Sequence, residues 1–246
     1  ETLGGASRMP GVEPFIDFAI GTVFLRKAQN GELGNGTNQR LLSLTCLDFI
    51  ATCLGTFNEE LVIIANQNSG IDVDSAMRTS SLFIYACLHP FARAMEWMYN
   101  EKVMNALFAT IHERVEVVGN AAPDSPLVLS LLAAIHVMTL IMDLQPTYLD
   151  LVRPLLKKQP AHAQNPVANA AYAFFEDGVL NHLSVIVDLG LYCGAGHPAL
   201  ALASLKLLQK FSTSPKLISP ISNNLPGGRD RNKVIAALER EGDAER

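Results

Sequence analysis

Apolar residues recur along this chain with the period of an α-helix. Each run opens on a Pro or a small polar residue and closes on a Gly or a turn. Ser125-Pro126, Gln145-Pro146, His89-Pro90 and His197-Pro198 are the clearest openings. Proline at the first helical position loses nothing, because the N–H it lacks would be unpaired there. On this pattern a helix runs from Pro14 to about Gln29, and a second from Thr37 to Leu54, stopped by Gly55. Thr56 and Glu59 then form a capping box that opens a short helix carrying Leu61, Val62, Ile63 and Ile64, ended by Gly70. Further helices are predicted over 74–88, from Pro90 through Trp97, and over 100–118. In the last of these Val103, Leu107, Ile111, Val115 and Val118 make one stripe, with Glu101, Lys102, Asn105, His112, Glu113 and Glu116 largely opposite.

The second half repeats the pattern. A turn over 119–124 leads to an apolar helix over 126–145, followed by a helical stretch 146–158 that Pro154 should kink or split. Helices are expected near 167–176 and 178–190, from Pro198 to Ser212, and near 229–241, with a turn region around Pro215, Pro220 and Pro226 before the last. In the 198–212 helix Leu200, Leu205, Leu207, Leu208 and Phe211 share one arc, with Lys206, Gln209 and Lys210 on the other. No strand signal separates these runs, and no fixed repeat period emerges. The expected fold is therefore all-α: an irregular α-helical solenoid of HEAT or armadillo character, with antiparallel neighbours joined by short loops. A compact helical globule is the alternative. Residues 1–246 are expected to form a single solenoid segment of a longer chain, with flexible loops at 30–38 and 159–166.

Composition narrows the function. The 246 residues are 49% apolar and 17% charged, enough for a large continuous core and too few charges for disorder. A net charge of −5 supplies no basic face, which excludes direct nucleic-acid binding as the expected role. The basic group Arg229, Arg231 and Lys233 is followed by Glu239, Glu241, Asp243 and Glu245, as in a solvated helix. Residues 127–144 approach the length of a membrane span, but His136, Thr139 and Asp143 fall on one narrow seam, as in a helix surrounded by protein on most sides. No transmembrane segment is predicted. Cys46, Cys53, Cys87 and Cys193 lie in apolar runs. Cys46 and Cys53 share a helix about 10 Å apart, beyond disulfide reach, so buried reduced thiols are expected.

The chemical motifs resolve into bland explanations. Gly194-Ala195-Gly196-His197-Pro198-Ala199 matches G-x-G-x-x-A after Val185-Ile186-Val187, the outline of a dinucleotide site and the one alternative in which the chain is an enzyme. His197-Pro198 stands where a pyrophosphate needs close backbone approach, and no acidic residue follows between Leu200 and Asn224. His112-Glu113-Arg114-Val115-Glu116 lacks the second histidine of a zinc helix. His136 and Asp143 share a face but stand too far apart for a direct hydrogen bond, and His136 is expected to be a core histidine. No nucleophile elbow, P-loop or EF-hand is present. No catalytic residue, metal, cofactor or small-molecule substrate is predicted. The group Phe91, Met95, Trp97, Met98 and Tyr99 is mostly core, with Trp97 and Tyr99 as candidate partner anchors.

Three stretches carry a resemblance: Arg40 to Val62 (RLLSLTCLDFIATCLGTFNEELV), Ser80 to Phe108 (SSLFIYACLHPFARAMEWMYNEKVMNALF) and His197 to Leu217 (HPALALASLKLLQKFSTSPKL). They resemble the very large inner-ring scaffold nucleoporins of the nuclear pore complex, with the larger fungal adaptor and its paralogue both open. The likeness runs over residues 37 to 240, and the loops at 30–38 and 159–166 are not part of it. It implies a non-catalytic α-solenoid at the nuclear envelope that binds other nucleoporins, through linear motifs of linker nucleoporins, and supports nucleocytoplasmic transport. It assigns no partner residue. A HEAT-type transport receptor or adaptor is the second expectation.

Overall fold

The computed structural model describes residues 12–25, 37–68, 92–98, 100–111, 115–158 and 166–227. No strand occurs among them, and the fold is all-α as expected. The helices are α1 (Val12–Ile16), continued by a π-helical stretch (Asp17–Phe24), α2 (Thr37–Asn68), α3 (Ala92–Met98), α4 (Glu101–Ala109), α5 (Val115–Gly119), α6 (Pro126–Lys158), α7 (Pro166–Tyr192), α8 (Pro198–Phe211) and α9 (Pro215–Asn224). The predicted helices at 74–88 and 229–241, Cys87, His112 and nearly all of both predicted loops lie outside the described residues.

Several expected breaks are absent. α2 runs straight through Gly55 and the Thr56–Glu59 box, because Leu47, Ile50, Leu54 and Phe57 form one buried stripe across the glycine, each at most 1% exposed. A mid-helix glycine costs about 1 kcal/mol, whereas each large side chain buried returns about 1.5–3 kcal/mol. α7 likewise passes through Gly178, with Phe175, Val179, Leu183 and Ile186 buried on one side. α6 continues through Pro146 and Pro154, where two separate helices or a split were expected. The prolines α9 contains are also helical rather than a turn: Pro215 stands in the first turn and Pro220 inside, while Leu217 and Ile221 are buried.

Elsewhere the expected helix is interrupted. The stripe predicted over 100–118 divides at Thr110 and Ile111, whose N–H groups bond to the carbonyls of Leu107 and Phe108 at 3.2 and 3.0 Å, the tighter three-residue spacing. Val103, Leu107, Ile111 and Val118 are still buried. The helix expected from Pro14 becomes π-helical at Asp17, and the Leu25 N–H reaches back five residues to the Ile20 carbonyl.

α2 and α6 form the main helical pair; α6 also packs on α8, α8 on α7, and α7 on α9 and α4. Buried side chains from every described helix merge into one core. The pairing therefore depends on residues far apart in sequence as well as on consecutive helices. Two windows, Leu41–Glu60 and Pro126–Leu144, have the length and hydropathy of a membrane span. They lie on the paired helices, and 67% of the second is buried within the protein, which accounts for its apolarity.

Candidate partner-binding groove

The polar seam of α6 marks the place where that helix is left uncovered. Its two flanks are occupied by α2 and α8, and between them lies a cavity of about 440 Å³. Leu129, Leu132, Ala133, His136 and Thr139 of α6 form its floor, Leu44 and Asp48 of α2 one wall, and Ala203 and Lys206 of α8 the other. His136 is exposed in this groove and not in the core, contrary to expectation. The reason is geometric: over residues 126–144 the other sides of α6 are covered, with Ile135, Val137 and Met138 at 0% exposure. Thr139 Oγ1 donates to the Ile135 carbonyl at 2.8 Å, so its hydroxyl proton is committed to its own helix. Asp143 extends the seam and accepts a hydrogen bond and ion pair from Lys210 Nζ of α8. Sequence patterning marked the floor through His136, Thr139 and Asp143 but missed both walls. Lys206, standing one turn before Lys210 on the polar arc of α8, was the available signal.

The candidate anchors occupy a different corner. Asp17 Oδ1 accepts from Arg93 Nε at 2.7 Å and from Trp97 Nε1 at 2.8 Å, tying α3 to the π-helical stretch. The Arg93 guanidinium lies 5.8 Å from the centre of the Trp97 ring. Burial pushes the Asp17 carboxyl up, but the Arg93 and Trp97 hydrogen bonds and the Arg93 charge outweigh it and hold the group below its ordinary value. The indole lies against Gly21, where a Cβ would come within 2.8 Å of Cη2. Trp97 is half-buried and built into this clasp, and Tyr99 lies outside the described residues. Beside the clasp Phe15 and Phe18 are 57% and 56% exposed, Phe15 standing edge-on to Phe49 with centroids 5.3 Å apart.

The glycine turn has the wrong surroundings for a dinucleotide. Val185, Ile186 and Val187 lie inside α7, so the strand that the motif requires is a helix. His197 plugs the turn: it is 4% exposed, and its Nε2–H donates to the Val118 carbonyl of α5 at 2.7 Å. Its own N–H closes the turn on the Cys193 carbonyl at 2.7 Å. Cys46, Cys53 and Cys193 are buried free thiols, and burial pushes Cys53 up to about 11. Among the described residues no three His, Cys, Asp or Glu side chains converge as a metal site would require.

Among the described residues, an all-helical body with one continuous core belongs to the class of stacked-helix scaffolds. Comparison with known proteins identifies the class further. The whole chain, residues 1–246, matches the family described as nuclear pore complex scaffold, nucleoporins 186/192/205, and belongs to it. It is 47% identical over 248 aligned residues to nucleoporin NUP192 of Chaetomium thermophilum, a match covering 100% of this chain and 14% of that protein. It is 21% identical over 208 residues to nucleoporin nup186 of Schizosaccharomyces pombe, covering 85% of this chain and 12% of that protein. The chain thus spans about one-seventh of the length of the relatives it matches.

Proposed function

We propose that this chain is one α-solenoid segment of a nuclear pore scaffold protein, residing at the nuclear envelope and supporting transport by holding other nucleoporins in place. It works by binding and not by turnover, and it uses no metal or cofactor. The observation that carries this is the match of all 246 residues to the scaffold family. The groove of α2, α6 and α8 is the surface we assign to linear motifs of linker nucleoporins. Trp97 has its indole N–H engaged by Asp17 and supports the fold at a separate corner.

The test replaces the matching segment of Chaetomium thermophilum NUP192 with this chain and follows the tagged chimaera. The expected outcome is a signal at the nuclear rim, with cross-links from this segment to other pore proteins. A folded chimaera that stays away from the rim, or one that reaches it without any cross-link from this segment, refutes the assignment.

A further inference from the structure

We infer that the groove receives an α-helical segment of a partner polypeptide, with apolar anchors at helical spacing and a carboxylate that meets Lys206. This rests on the scaffold role proposed above and adds the form and charge of the occupant.

The form follows from the lining. The floor runs from Leu129 to Thr139 on one face of α6, about 15 Å at 1.5 Å per residue, the length of a helix of about ten residues. Ala133 and Ala203 are small and stand on different helices of the groove, while Leu44, Leu129 and Leu132 rise beside them. Small residues ringed by leucines are the holes that accept knobs from another helix. An added strand would need a sheet edge, and no strand exists among the described residues. A polyproline segment needs aromatic walls, and among the described residues no Phe, Tyr or Trp lines this cavity.

The charge follows from two lysines on one helix. Lys210 is paired with Asp143, whereas Lys206 lines the cavity without a carboxylate partner among the described ion pairs. Asp48 stands on the α2 wall. A complementary helix therefore carries an acidic side chain toward α8 and a basic or polar one toward α2, and this pair of charges fixes how it is rotated in the groove.

Selection of displayed peptides of about sixteen residues, long enough for about four turns, on the full 246-residue chain tests this. Expected are helical peptides with apolar residues at i, i+4 and i+7 and an acidic residue beside them. Their affinity should fall about tenfold on Lys206→Glu and return when the peptide's acidic residue is changed to Lys. Binding should be lost on Leu132→Arg and on Ala203→Arg, which fill the groove from the floor and from one wall. Circular dichroism identifies any variant that unfolds, and the other then decides. The inference is overturned if no peptide prefers the wild type to a folded blocked variant. It is equally overturned if the selected peptides are extended or proline-rich, or if Lys206→Glu leaves affinity unchanged. Failure here with a chimaera that still reaches the nuclear rim removes the occupant and leaves the scaffold role standing.

Discussion

Two long helices each contain a glycine that local sequence reads as a break, and the two glycines stand in opposite surroundings. At Gly55 of α2 a Cβ would meet nothing within 4 Å. At Gly178 of α7 a Cβ would lie 2.6 and 2.7 Å from Cζ and Cδ2 of Phe108. The absent side chain is incidental in one helix and necessary in the other, although both helices continue for the same reason, a buried stripe spanning the glycine. A glycine in a helical pattern thus carries two separable messages, one about propensity and one about the approach of a neighbour. Only the second depends on the tertiary fold.

The largest effect expected from this contrast is at Gly178. Phe108 is 3% exposed and cannot swing away, because His182 stacks on it at 5.2 Å and Phe175 lies 5.9 Å from it. His182 is itself held by a 2.9 Å bond from Nδ1–H to the Gly178 carbonyl. Gly178→Ala should therefore destabilise the chain by about 3 kcal/mol through overpacking, lowering the melting temperature by about 6–12 °C. Adding Phe108→Leu to Gly178→Ala should recover part of that loss, a coupling that thermal melts of the four proteins measure. Equal stability of Gly178→Ala and wild type would remove the contrast.

Gly21 sharpens the comparison, since it lies in the π-helical stretch and faces a ring that is only half-buried. Its Cβ would stand 2.8 and 2.9 Å from Cη2 and Cζ2 of Trp97. The ring can tilt outward, at the expense of its hydrogen bond to Asp17. Gly21→Ala should cost about 1–2 kcal/mol, less than at Gly178. Trp97 is the only tryptophan, so its emission reports the site alone. A shift to longer wavelength in the folded variant is expected, and unchanged emission would mean that the indole is not seated on Gly21.

These cases show what was legible in the sequence and why. The stripe of α8, apart from Leu205, which is 43% exposed because it lies well off the arc of Leu200, Leu207, Leu208 and Phe211, and the polar seam of α6 are visible because both are periodic within one helix, where neighbours three and four apart must share a face. Helix boundaries were less visible. Gly55, Pro146 and Gly178 are local signals worth about 1–3 kcal/mol, and the burial of Phe57, Leu144 and Val179, each at 0% exposure, outweighs them. His136 reads as a core residue because an apolar run surrounds it, and no local rule says which side of a helix remains uncovered. The groove was only one-third legible for the same reason. Leu44 and Ala203 stand 159 positions apart in the chain and meet only through the packing of α2, α6 and α8. The family was legible through the texture of three stretches, a likeness of sequence and not of site geometry.

The smallest effect has the opposite sign. Gly55→Ala adds a methyl where nothing stands within 4 Å, and it makes α2 a better helix former at a position flanked by Leu54 and Phe57, both fully buried. The alanine also restricts the unfolded chain, so the expected change is a gain of about 0.5–1 kcal/mol. That is a rise of about 1–4 °C in melting temperature for a chain of this size. The same substitution in the same kind of helix should therefore raise stability at one glycine and lower it at the other. A loss at Gly55 would show that α2 bends there and that its two halves are separate elements, as the capping box of Thr56 and Glu59 first suggests.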